Sequence, residues 1–254
     1  MSQTAEYIQR DQPAGVAPLA LTGERTLPDV PAENYWFRRH LAVYEWIAEH
    51  CAGLEVVDMA CGEGYGTDVL ARRARTVTGV DANPEAFAHA QAKYVRPGVS
   101  FVRDLVESYR EPCDAVVFLQ TIEHVEKPEE ALRHFREMLP PGGTAYVSTP
   151  NVLTLATEGA EKSDNPWHLK EYRAEEFRAL CESVFDDVEL LGLFHARKLR
   201  VHELALRCGW DRVHNALGIT QRFYDRFTPA ISQRDFALRE EPLDRALDFL
   251  AVLR

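Results

Sequence analysis

An α/β fold built on a doubly wound, mostly parallel sheet is predicted by two features of this 254-residue sequence. Short aliphatic or β-branched runs alternate with helical stretches along most of the chain, the order that a parallel sheet requires. The first of these runs, in LEVVDMACGEGYG (Leu54 to Gly66), passes directly into alternating glycines that open a helix. Such a strand-to-helix turn lets backbone approach a ligand closely, because glycine has no Cβ and tolerates left-handed φ.

Residues 1–32 carry Pro13, Pro18, Pro28, Pro31, Gly15 and Gly23 with little periodicity and read as an irregular arm, either folded over a ligand or a loose tail. From Glu33 the apolar positions Tyr35, Phe37, Leu41, Tyr44, Ile47, Ala48 and Cys51 recur at helical spacing, and Gly53 ends that helix. After the glycines the order is helix Tyr65 to Arg75, strand Thr76 to Val80, a helix opened by Pro84, strand Val99 to Val102 and strand Asp114 to Leu119. Helix Pro128 to Leu139, strand Thr144 to Ser148, helix Glu175 to Cys181, strand Val184 to Leu193 and strand Leu247 to Leu253 complete seven strands. Residues 33–194 and 245–254 thus form one sheet domain. Residues 195–244, with helical periodicity at Val201, Leu204, Ala205 and Cys208 and the aromatics Trp210, Phe223, Tyr224 and Phe227, form a helical cap. Self-association into a homodimer is the competing use of that apolar surface.

Composition bounds the function. The formal net charge of −11 sets the surface against phosphodiester backbones. The five cysteines, Cys51, Cys61, Cys113, Cys181 and Cys208, contain no CxxC pair and point to free thiols in a reducing cytosol. The N-terminus lacks a basic-then-apolar signal pattern and no apolar run reaches membrane-spanning length, which points away from secretion and membranes.

Spacing selects the ligand of the glycine turn. Gly62, Gly64 and Gly66 read G-x-G-x-G rather than the G-x-G-x-x-G of dinucleotide sites. Asp58, just ahead of them, would repel a pyrophosphate but can support the loop or receive an ammonium, which points to S-adenosylmethionine. Here the sequence resembles the class I S-adenosylmethionine-dependent methyltransferases, whose first motif has this D-x-x-C-G-x-G-x-G form. The resemblance implies a Rossmann-like sheet whose last strand inserts antiparallel between the fifth and sixth. Asp81, ending the second strand, is placed to accept both ribose hydroxyls. Asp104 and the Leu105 amide are placed for adenine, with Ala60, Ala82, Leu119 and Gln120 flanking the ligand. Tyr35, Arg38 or Arg39 pairs with the methionine carboxylate, or else all three form a solvated first turn.

Chemistry is expected where the fourth and fifth strands end. FLQTIEHV delivers Gln120, Glu123 and His124, and the loop after S-T-P-N carries His168 in NPWH. Glu123 and His124 are the candidate catalytic pair, His124 as a base with a pKa near working pH. Gln120, Glu123, His124 and His168 together form a mixed oxygen and nitrogen set suited to a divalent ion such as Mg²⁺ or Mn²⁺. The segment is similar to small-RNA 3′-terminal 2′-O-methyltransferases, which bind a metal through E-x-x-E-H and a later histidine. Gln120 replaces the first glutamate and removes one negative charge. In class I methyltransferases without a metal, the E-H pair orients the loop or acts as a base. Of the other histidines, His40, His50, His89, His134, His202 and His214 read as surface or core, and His195 alone lies near the expected crevice.

The run LTGERTLPDVPAENYWFRRH with STPN, NPWH and GLFH also resembles actinobacterial methyltransferases associated with methylglucose- and methylmannose-type polysaccharides. This implies O-methylation of a sugar or oligosaccharide hydroxyl, with Trp167 and Trp210 stacking on sugar faces. A quinol or natural-product acceptor methylated without metal is the alternative. A non-catalytic binding module is disfavoured by the intact cofactor motifs, and an RNA acceptor by the acidity and by Gln120.

Overall fold

A computed structural model describes residues 9–21, 25–156 and 162–254. Residues 1–8 and 22–24 of the predicted arm lie outside the described residues. The elements in chain order are α1 (Asn34–His50), β1 (Glu55–Met59), α2 (Tyr65–Leu70), β2 (Thr76–Val80), α3 (Pro84–Lys93), β3 (Val99–Val102) and β4 (Ala115–Leu119). They continue with α4 (Pro128–Met138), β5 (Thr144–Pro150), α5 (Val152–Leu155), α6 (Ala174–Glu182) and β6 (Val188–His195). The chain closes with α7 (Arg197–Arg207), α8 (Trp210–Ala216), α9 (Thr220–Phe227), β7 (Phe236–Arg239) and β8 (Asp248–Leu253).

The sheet runs β3-β2-β1-β4-β5-β8-β6-β7. Neighbours among β1 to β5 are parallel, while β8 pairs antiparallel with both β5 and β6. The sheet has eight strands where seven are predicted, a correction that comes from the insertion. There β7 lies antiparallel on the edge of β6, with Phe236 opposite His195 and Arg239 opposite Gly192. Four residues are too few to show strand alternation, and only the open edge of β6 makes them a strand. Residues 195–244 therefore hold three α-helices, short 3-10 turns and a strand rather than helices alone.

Burial follows from the layers. On one face α4 and α6 cover Phe118, Phe135, Phe177 and Phe249; on the other α1 and α2 cover Val117, Leu41, Ile47 and Leu250. Because β8 is covered on both faces, all six of its residues are buried, which explains its nearly continuous apolar run. Its one charged residue, Asp248, is paired to Arg39. The α2 helix stops at Leu70, five residues before the expected end. Beyond it the Arg73 carbonyl accepts from the Gly53 amide at 2.9 Å and the Arg75 amide donates to the Leu54 carbonyl at 2.8 Å, which binds the turn to the start of β1. All five cysteines are free thiols. Among the described residues no helix is long and apolar enough to cross a membrane.

Successive connections leave β1 in one direction and β4 in the other, so a crevice opens at their carboxyl ends. The site lies in that crevice.

Candidate active site

The glycine turn joins β1 to α2 with Gly62 at φ +56° and Gly64 at φ +96°. A Cβ on Gly64 would lie 2.8 Å from that of Ala90, so both space and backbone demand glycine there. Ala60 and Gln120, at the ends of β1 and β4, also hold left-handed φ of 55° and 50°. Both line a cavity of about 80 Å³ with Gly62, Leu119 and Tyr65. Non-glycine residues in that conformation are costly and persist where the surroundings over-determine them, commonly at ligand sites.

Beneath the turn, Asp58 is fully buried and accepts from the Tyr44 hydroxyl at 3.1 Å and the Thr67 hydroxyl at 2.7 Å. It supports the loop from below and has no exposed surface for a ligand ammonium. Burial pushes its carboxyl up to about 7, against the two hydrogen bonds and with Asp81 adding repulsion. A carboxyl raised above its unfolded value holds its proton more tightly in the native state. Stability should therefore fall as pH rises from about 4 to 7, by roughly 1.4 kcal/mol per unit from this group. Asp58→Asn is expected to reduce the loss of stability between pH 5 and 7 by about 2–3 kcal/mol, measured by urea denaturation.

Asp81 directly follows β2 and accepts the Gly62 amide at 2.8 Å on one oxygen and the Asn83 amide at 2.9 Å on the other. Each oxygen keeps a second lone pair for a hydroxyl. Ala82 follows on the exposed surface. Asp104 takes up the Leu105 amide at 2.8 Å, so the amide expected to reach a purine is already engaged within the turn.

A second cavity of about 380 Å³ adjoins the first, with Arg25, Thr26, His40 and Gln120 lining both. Glu123, His124 and His168 stand on its wall with ligating atoms all within 4.8 Å of one another. The chain brings them together by pinning one loop to another: the Glu123 carbonyl accepts the Leu169 amide at 2.8 Å and the Lys170 amide at 3.2 Å. The His124 Nδ1 donates to the Trp167 carbonyl at 2.8 Å, which fixes the orientation of the ring. His168 is set the same way by Glu171, 2.6 Å from its Nδ1, while its Nε2 faces the Asn165 amide at 2.9 Å. A carboxylate behind an imidazole is a common support of a metal-ligating histidine, and an ion at His168 Nε2 would have to displace the Asn165 amide that now donates to it. Glu123 is buried and accepts from the Thr149 hydroxyl at 3.2 Å. Desolvation, with Asp248 and Glu171 adding repulsion, pushes its carboxyl up to about 8. One oxygen and two nitrogen donors at this separation fit a divalent ion, and Gln120 lines the same cavity.

Residues 29–204 match the family described as a methyltransferase domain. The chain belongs to that family. It is 40% identical over 191 residues to a probable S-adenosylmethionine-dependent methyltransferase of Mycobacterium tuberculosis, covering 74% of this chain and 69% of the relative. It is 37% identical over 246 residues to a probable S-adenosylmethionine-dependent methyltransferase of Mycolicibacterium smegmatis, covering 92% and 94%. The fold is similar to that of an S-adenosylmethionine-dependent methyltransferase from Mesorhizobium loti, at a TM-score of 0.57 and 18% identity over 85% of this chain and 98% of that one. The protein is thus an S-adenosylmethionine-dependent methyltransferase with the class I fold, and S-adenosylmethionine is its cofactor.

Several residues expected at the methionine end of the methyltransferase site are engaged elsewhere. The Tyr35 hydroxyl meets His195 Nε2 at 2.8 Å, and Arg38 bonds Asn34 and Gln233. Arg39 is buried against Asp248, with its Nε 2.6 Å from the carboxylate. His195 bridges Tyr35 to Glu203 and lines neither cavity. Trp210 packs against His214 and Phe223 as part of the insertion's own aromatic core, rather than over the crevice. Arg39 still lines the larger cavity, together with Arg25, Trp36 and His40. Burial pushes His40 down to about 4, with Arg39 acting in the same direction and Asp248 against it, so the ring is neutral where the two cavities meet. Trp36, Arg39 and His40 lie at i, i+3 and i+4 on α1, a second helix face beside the buried one. That spacing was the available signal.

Proposed function

We propose that this methyltransferase transfers a methyl group to a hydroxyl of a sugar or oligosaccharide, assisted by a divalent ion such as Mg²⁺ or Mn²⁺. The observation that carries this reading is the Glu123, His124 and His168 cluster on the wall of a cavity continuous with the glycine turn. Methyl transfer forms a bond from the acceptor oxygen to the sulfonium methyl carbon while the carbon–sulfur bond breaks, and the hydroxyl proton must leave. A free alcohol ionises poorly at neutral pH, and a divalent ion beside it supplies the missing acidity. Glu123, His124 and His168 would hold that ion, with Gln120 contributing its amide oxygen. Trp36, 42% exposed on the same cavity, offers an indole face to the apolar face of a pyranose.

At the other end, the Asp81 carboxylate is assigned to the ribose hydroxyls and Ala60, Gly62, Gly64, Leu119 and Gln120 to the walls of the cofactor groove. Asp104 is assigned to the adenine amino group. Arg25 replaces Tyr35, Arg38 and Arg39 as the cation for the methionine carboxylate, because it lines both cavities. In this reading residues 1–32 are an arm over the site, 33–194 with 245–254 the catalytic domain, and 195–244 an accessory insertion.

Methyl transfer to oligosaccharides of mannose or glucose, assayed with and without chelator, tests the proposal. Activity should drop at least tenfold with EDTA and return with Mg²⁺ or Mn²⁺, while S-adenosylhomocysteine affinity measured by calorimetry stays constant. Chelator-resistant methylation of a quinol acceptor, with no saccharide binding, would overturn it.

A further inference from the structure

We infer that a groove formed by α7, β7 and the Leu243–Arg245 turn binds a phosphate ester carried on an apolar body, in a site separate from the methyl-transfer cavity. The groove encloses about 1040 Å³, and none of its lining residues lines the acceptor cavity. The two are neighbours: Leu153 and Thr154 of α5 face the groove while Leu155 faces the acceptor cavity.

Charge makes the first argument. Five guanidinium groups, from Arg197, Arg200, Arg207, Arg239 and Arg245, line the groove against two carboxylates, Glu203 and Asp244, in a chain whose net charge is −11. Arg207 is paired to Glu203, and Arg239 lies over the Phe194 ring at 5.8 Å. The side chains of Arg197, Arg200 and Arg245 have no partner among the described residues. Uncompensated cations gathered in a concave site, on an otherwise acidic surface, focus potential on an anion. Guanidinium groups match phosphate oxygens in geometry as well as in charge.

Apolar surface makes the second. Along α7, residues 197, 200, 201, 204 and 207 follow i, i+3, i+4, i+7 and i+10 and share one face. That face interleaves arginine with Val201 and Leu204, 69% and 62% exposed, while the opposite face buries Leu199. Leu153, 46% exposed, joins them across the groove. A site for inorganic phosphate alone has no use for this exposed hydrocarbon; a phosphorylated amphiphile covers it while its head meets the arginines. The third argument is local backbone: Arg197 holds φ +45°, a conformation that costs a non-glycine residue and marks constrained functional positions.

Dodecyl phosphate below its micellar concentration is the probe, titrated into the full chain by calorimetry alongside dodecyl maltoside and inorganic phosphate. Dodecyl phosphate should bind at least tenfold more tightly than either, and more weakly at high salt. Arg200→Glu with Arg245→Glu, both exposed and outside the catalytic machinery, should weaken it at least tenfold and leave S-adenosylhomocysteine binding unchanged. Equal affinity of wild type and double variant, or of dodecyl phosphate and the maltoside, overturns the inference. So does binding of phosphatidylglycerol vesicles without any binding of the monomeric probe, which would make the groove a membrane-docking surface.

Discussion

Glu123→Gln is expected to lower kcat by about 10²–10³-fold, a loss of roughly 3–4 kcal/mol in the transition state, with S-adenosylhomocysteine affinity within twofold of wild type. The substitution keeps the shape of the side chain and its contact with the Thr149 hydroxyl, and removes only its capacity to become an anion. That capacity matters because Glu123 supplies the carboxylate oxygen of the cluster, within 4.8 Å of the ligating nitrogens of His124 and His168. A buried carboxyl in this setting costs the fold more than it contributes, since desolvation dominates its environment. Stability of the glutamine variant should therefore lie within about 1 kcal/mol of wild type, so that a fall in rate is not a fall in folded protein. Single-turnover methyl transfer together with thermal denaturation measures both. Activity within threefold of wild type would remove Glu123 from the catalytic apparatus.

The parts of this molecule that sequence made legible are those whose signal is local. The glycine turn after β1 is written in thirteen consecutive residues, and the carboxylates Asp58 and Asp81 follow from strand ends that β-branched runs define. The pairing of Glu123 and His124 with His168 was also readable, because two strands of a parallel sheet end side by side and deliver their loops to one crevice. What was not legible depends on packing between distant segments. Arg25 and His40 reach the cavity because α1 packs across a face of the sheet with Arg39 against Asp248 of β8, and the helical spacing of Trp36, Arg39 and His40 does not say which strands that face meets. Arg39 reads as a solvated cation in the first turns of a helix until β8 places Asp248 beside it. Strand β7 exists only because the edge of β6 is open. Trp210 has the composition of a sugar platform and the position of a core residue, a distinction that burial of its neighbours decides.

Arg39→Ala should be the most destabilising single change outside the apolar core. The Arg39 guanidinium and Asp248 carboxylate are 4% and 2% exposed and joined by two hydrogen bonds, while a third reaches the Leu247 carbonyl at 2.6 Å. The face of Trp36 lies 4.9 Å from the guanidinium carbon. Removing the arginine leaves the Asp248 carboxylate buried without its partner, at a cost of about 3–5 kcal/mol. For a chain of this size that is a fall in Tm of roughly 10 °C. Asp248→Ala alone should be comparably damaging, because it leaves the cation buried instead. Arg39→Met with Asp248→Leu should be milder than either single change, since hydrophobic residues of similar volume need no partner. A cycle of Arg39→Ala, Asp248→Ala and the double alanine variant then gives a coupling energy of several kcal/mol that joins α1 to β8. Near-additivity in that cycle would mean that the pair contributes little, and that packing of Trp36 and Leu41 is what holds α1 against the sheet.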